Sequence, residues 1–162
     1  MKKVYFIVQE KKFCLERVLL QIDIPPLLFV CKDEENQLYL CVCTYSFQQP
    51  FEHLMVPTTI DMLLKMLKNE ITMYEAFRGA QIGYKIKEGD EPENDISTQL
   101  FRNEIKDEDL PVKGIFFELD TEDIVDYIHQ LEEEKMISKK KTNPTKTTEC
   151  ARIPYGIKFK KV

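Results

Sequence analysis

Hydrophobic and polar positions alternate through much of the first half of the chain, and the period of that alternation changes once. Over residues 3–9 and 14–24 the period is two, with Val18, Leu20, Ile22 and Ile24 set against Leu19, Gln21 and Asp23. Successive side chains of a strand point to opposite faces, so both stretches read as strands. Pro25 and Pro26 close the second, because neither can donate to a ladder. Two apolar runs follow, 27–32 and 38–46, separated by charged turn residues, and they read as a β-hairpin. With its turn centred on Glu35-Asn36, Cys31 faces Leu40, while Cys41 and Cys43 join Leu28 and Val30 on the opposite side. After Val56-Pro57 the spacing becomes helical. Thr58 or Thr59 can cap a helix to about Lys68, with Met62, Leu63, Met66 and Leu67 on one face. Thr72-Met-Tyr-Glu75 is a capping-box pattern, and the short helix it opens stops at Gly79.

The second half is less regular. Residues 81–87 read as a further strand, and 88–111 as a loop with nine acids and two prolines, with a weakly marked helix near 97–105. Gly114 to Leu119 reads as a buried strand, and Thr121 caps a helix to about Ile137 with Ile124, Tyr127, Ile128 and Leu131 inward. The resulting expectation is an α+β fold: a largely antiparallel sheet of five to seven strands, including the 27–46 hairpin, packed against two or three helices, chiefly 59–68 and 121–137. Residues 1–137 form one domain, 138–149 a polar basic linker, and 150–162 a C-terminal strand docked on the domain or on a partner.

Charge adds an asymmetry. The net charge is −5, yet residues 138–162 hold eight of the 23 basic residues and one acid, Glu149. The body is therefore −12 and the tail +7. In the tail, Ile153, Tyr155, Ile157 and Phe159 alternate with Lys158 and Lys160. Lys139, Lys140, Lys141, Lys158, Lys160, Lys161, Tyr155 and Phe159 are thus the candidate partner-binding residues, toward a protein, a second copy, or nucleic acid. The longest apolar runs are far below the ~20 residues that span a bilayer, and the short run Val4–Val8 is no signal-peptide core, so the expected compartment is the cytoplasm with no membrane partner. Five cysteines scattered through strand-like runs fit buried, reduced thiols in that compartment.

Candidate chemistry is sparse. A thiolate site needs ligands converging on one ion, and the expected hairpin register splits Cys31 from Cys41 and Cys43. His53 and His129 lack local nucleophile motifs and read as packed or surface imidazoles. Glu104-Ile-Lys106 with Asp95 upstream has the form used by metal-dependent nucleases, where carboxylates hold a divalent ion and the lysine steadies water or phosphate. The same Glu-x-Lys form recurs at Glu10 and Glu133. Only five glycines are present and no phosphate-cradling loop. No catalytic, cofactor or metal residues are assigned.

The block Pro26-Leu-Leu-Phe-Val-Cys-Lys-Asp33, with Tyr39-Leu-Cys-Val-Cys43, Val56-Pro57 and Leu63 to Phe77, resembles a family of small bacterial α+β proteins, a domain of unknown function. The resemblance covers about residues 24–78 and implies a bacterial or phage origin and the fold, with no chemistry. The expected function is a non-enzymatic protein-interaction module: a small cytosolic subunit, immunity or adaptor component. The alternatives are a metal-dependent nuclease or hydrolase using acids of 88–123, and nucleic-acid binding through the basic tail.

Overall fold

The computed structural model describes residues 3–21, 26–45 and 50–142. They fall into two compact units, divided between Asp120 and Thr121. The first unit holds seven strands: β1 (Val4–Val8), β2 (Lys11–Leu20), β3 (Leu28–Asp33), β4 (Leu38–Tyr45), β5 (Glu52–Pro57), β6 (Ile82–Lys87) and β7 (Ile96–Phe101). Each pairs antiparallel with its sequence neighbour, so the sheet order is β1 to β7 without a crossover.

The sheet is curled into a half-barrel. In a flat sheet, β1 and β5 would stand four strand spacings apart, roughly 19 Å. Instead the Phe6 ring of β1 lies 5.1 Å from the His53 ring of β5. Ile7 N–H of β1 also donates to Asp95, the residue before β7, at 3.3 Å. The inner face encloses Phe6, Val8, Phe13, Phe29, Cys31, Tyr39, Cys41, Met55 and Ile86. The outer face buries Leu28, Val30, Leu40, Val42, Leu54 and Val56.

This corrects the expected architecture of a sheet packed against the 59–68 and 121–137 helices. The sheet wraps around an aromatic core of its own, which helps explain why β3 and β5 are apolar on both faces. Irregularities help it bend. Register shifts fall between Val4 and Phe6, Leu15 and Arg17, Val18 and Leu20, and Cys43 and Tyr45. Such bulges increase local twist. They also break the alternation read in β2, where Leu19 is buried, not grouped with the polar side. Residues 22–25, the end of that expected strand, lie outside the described residues.

The β3–β4 turn corrects a second expectation. Asp33 N–H donates to Gln37 O and Asn36 N–H to Asp33 O, each at 3.1 Å. Asp33 Oδ1 accepts from the N–H groups of Glu35 and Gln37 at 2.9 Å. Asn36 sits at φ +67, a left-handed conformation that asparagine tolerates. The loop therefore has three residues, 34–36, and Cys31 pairs with Tyr39 instead of facing Leu40. A one-residue slip flips every side chain. Cys31 and Cys41 accordingly share the inner face.

Two helices connect β5 to β6. In α1 (Ile60–Leu67), Thr59 is the cap and accepts from Met62 N–H at 3.1 Å. In α2 (Met73–Arg78), the Thr72–Glu75 capping box is complete. The acid-rich stretch 88–111, read as loop with a weak helix, contains β7 flanked by short 3-10 turns. Residues 114–119 are not a strand. Gly114 at φ +80 and Glu118 at φ +54 interrupt any extended run, and Ile115 and Phe116 are exposed.

In the second unit α3 (Glu122–Thr142) begins where Thr121 Oγ1 accepts from Ile124 N–H at 3.4 Å. It runs five residues past the expected end, into the stretch read as linker. Its buried residues Ile124, Tyr127 and Leu131 recur at spacings of three and four. Residues 143–162, including the expected terminal strand, lie outside the described residues. No helix among the described residues is long and apolar enough to cross a membrane.

Candidate functional site

The densest grouping of chemically capable side chains sits on the inner face, where β1 folds over β4–β6. Strand alternation in β5 turns His53 and Met55 inward, opposite Cys43 and Cys41 of β4. His53 is fully buried, its ring clustered with those of Phe6 and Phe29 at 5.1 and 5.5 Å. Its Nε2 bonds the Glu88 carboxylate beyond the end of β6, and its Nδ1 is buried with no hydrogen-bond partner. Asp95 completes the group. Its Oδ2 accepts from Ile7 N–H at 3.3 Å and its Oδ1 from Gly89 N–H at 3.0 Å.

Burial dominates the electrostatics. It raises the Tyr5 hydroxyl well above the ordinary tyrosine range, with smaller contributions from Glu88 and from Cys31, Cys41 and Cys43. It also raises the Cys41 thiol, which is hydrogen-bonded to Cys31. A thiol held protonated is a poor nucleophile and a poor metal ligand. Asp95 is raised chiefly by desolvation, against the lowering effect of its two backbone donors. Nearby, Tyr39 is pushed up to about 12 by burial and by Asp33. Among the described residues no three His, Cys, Asp or Glu side chains are arranged to hold a metal ion. The grouping can orient an imidazole and tie β1 to the 88–95 segment. Its thiols and imidazole are sealed from solvent.

The residues singled out from sequence are scattered. Asp95 and Glu104 stand at opposite ends of β7, whose six residues span roughly 20 Å, so they do not meet at one ion. Both are occupied by backbone, Glu104 Oε1 accepting from Phe101 N–H at 2.8 Å. His129 is exposed on α3. Lys139, Lys140 and Lys141 lie in the last turns of α3. Tyr155, Lys158, Phe159, Lys160 and Lys161 are outside the described residues. The sequence reading missed the association of His53 with Glu88 and Asp95. The alternation of β5 signals that His53 shares a face with Met55; the carboxylates come from chain 35 and 42 residues away.

The outer surface of the first unit differs in kind. Phe101, Val112, Ile115 and Phe116 are exposed at 60%, 73%, 50% and 38%. They belong to a stretch that also carries Glu104, Asp107, Glu108 and Asp109. Arg78 binds Asp107, and Tyr74 Oη donates to the same carboxylate at 2.8 Å. Met73, Leu110, Pro111 and Val112 help line a cavity of about 260 Å³ against Leu28 and Val42. Comparison of the chain with protein-family models, with curated proteins and with solved structures finds no match.

Proposed function

We propose that this chain is a non-enzymatic protein-interaction module. The observation that carries the reading is the separation of chemistry from surface. His53, Cys31 and Cys41 are fully buried, whereas large apolar side chains face solvent in the stretch 101–116, which also carries acidic residues. Several large apolar side chains exposed within one short stretch support a contact surface more than a reaction centre. The acidic residues among them favour a partner with basic residues around an apolar centre, because charge complementarity sets on-rate and partner choice.

The test replaces Val112, Ile115 and Phe116 together with aspartate and follows capture of partners from the source cell. The variant keeps its melting temperature, and the partners captured by the wild-type chain are lost. Unchanged capture overturns the assignment of this surface. Incubation with nucleic acids and Mg²⁺ or Mn²⁺ is the companion measurement. Robust cleavage abolished by Glu104→Ala overturns the non-enzymatic reading.

A further inference from the structure

The two edges of the sheet are finished differently, and among the described residues the outward backbone groups of β7 have no partner strand. On β1, the ladder is irregular between Val4 and Phe6, and Asp95 takes the Ile7 N–H. On β7, the pairing with β6 runs from Phe101 to Ile96 without a shift. No residue of Ile-Ser-Thr-Gln-Leu-Phe is charged or proline. Monomeric proteins guard sheet edges with charges, prolines, bulges or a covering segment. β7 itself carries none of the first three, and Ile96 and Phe101 are exposed at 66% and 60%.

The directions of its backbone groups follow from its last two residues. Arg102 N–H turns to Gln81 O on the β6 side, and Phe101 N–H turns away to Glu104. Alternation then puts the N–H and C=O of Ser97 and Gln99 on the outward edge. Among the described residues, no hydrogen bond reaches these outward groups. The Gln9 amide meets the Gln99 side chain at 3.3 Å, a contact between side chains and not with the strand backbone.

Building on the interaction-module reading, we propose that the β7 edge pairs antiparallel with β7 of a second copy about a two-fold axis at Thr98. A strand that pairs with itself must place residues of one face opposite each other. Pairing through the free groups of Ser97 and Gln99 satisfies this with Ser97 opposite Gln99 and Thr98 opposite Thr98. Ile96 then lies opposite Leu100, and no like charges face across the strands. The flanks agree. Glu93, Asn94 and Asp95 precede the strand and Arg102 follows it, so each Arg102 comes to lie beside the acidic approach of the other copy.

Sedimentation velocity on the full chain tests this. Wild type sediments at twice its 19.2 kDa mass, with a dissociation constant in the micromolar range. Thr98→Lys sets two like charges opposite each other at the axis and weakens association by at least about tenfold, while Thr98→Val retains it. Gln99→Pro removes an outward donor, leaves the β6 ladder intact, and also gives monomer. Circular dichroism and melting temperature check that each variant is folded. A wild-type chain that stays monomeric up to about 0.1 mM overturns the proposal, as does a dimer indifferent to Thr98→Lys and Gln99→Pro. If removing residues 143–162 turns a monomer into a dimer, the chain's own tail fills the edge and the proposal fails. Loss of the dimer with capture through Val112, Ile115 and Phe116 intact leaves the broader reading standing.

Discussion

β1 and β7 bound the same sheet and differ in almost everything that decides what an edge does. β1 is bent by a register shift, carries the fully buried Phe6 and Val8, and has a backbone donor held by Asp95. β7 is regular, uncharged and largely exposed. The contrast teaches that curling a sheet protects its edges unequally. The strand that folds over the core becomes part of it, and the strand at the far end keeps outward backbone groups without a partner strand among the described residues.

Four substitutions break or sharpen this contrast. Phe6→Ala empties a buried aromatic site on β1 and should cost about 3–5 kcal/mol, read by urea or thermal unfolding. A change under 1 kcal/mol would mean that β1 is not part of the core. Asp95→Ala frees the Ile7 and Gly89 donors and should cost about 1–3 kcal/mol. Hydrogen exchange at Ile7 should quicken, with the β6–β7 amides unchanged. Exchange that quickens equally on both edges would show that Asp95 does not act on β1 alone.

The third prediction compares two carboxyl groups shifted in opposite directions. Asp95 is raised by desolvation, so its contribution to stability is present in acid and is lost as pH rises through its folded value. Asp107 is lowered from 3.8 to about 2, chiefly by Arg78 and then Tyr74, with a further contribution from Lys113. Its contribution is present above the unfolded value and is lost as pH falls through about 2. Asp107→Asn should therefore lower the melting temperature at neutral pH, with the difference from wild type shrinking below about pH 4 and gone only below about pH 2. A difference independent of pH would show that the Arg78–Asp107 pair does not stabilise the fold through charge. The smallest effect is expected for Phe101→Ala on β7, within about 0.5 kcal/mol, because the side chain is exposed and its capping contact with Glu104 is made through the backbone N–H. Measured at a dilution where the proposed dimer is dissociated, a larger loss would mean that β7 is covered within the single chain.

What could be read from sequence was local. Capping by Thr59, Thr72 and Thr121 and the two strands of the 27–46 hairpin are set by neighbours within a few residues, and they stand where expected. The register was not legible, because it turned on whether the loop held three residues with Asn36 in a left-handed conformation. β7 was missed because a mostly exposed strand leaves little apolar alternation to detect. The 114–119 run misled for the converse reason: its apolar residues suggest burial, yet positive φ at Gly114 and Glu118 stops them from extending. The curl, and with it the meeting of His53, Glu88 and Asp95, depends on bulges and on contacts distant in the chain.

The strand order has a consequence for synthesis. Because every strand pairs with the one before it, the ladders join segments close in sequence, and such topologies fold quickly. The sheet can be laid down hairpin by hairpin as the chain leaves the ribosome, with the α1–α2 excursion as its longest delay. The Ile7–Asp95 bond is an exception, spanning 88 residues. Until residue 95 emerges, the N-terminal strand waits on the growing sheet with its outer donor unclaimed, so fastening that edge belongs among the late events of folding.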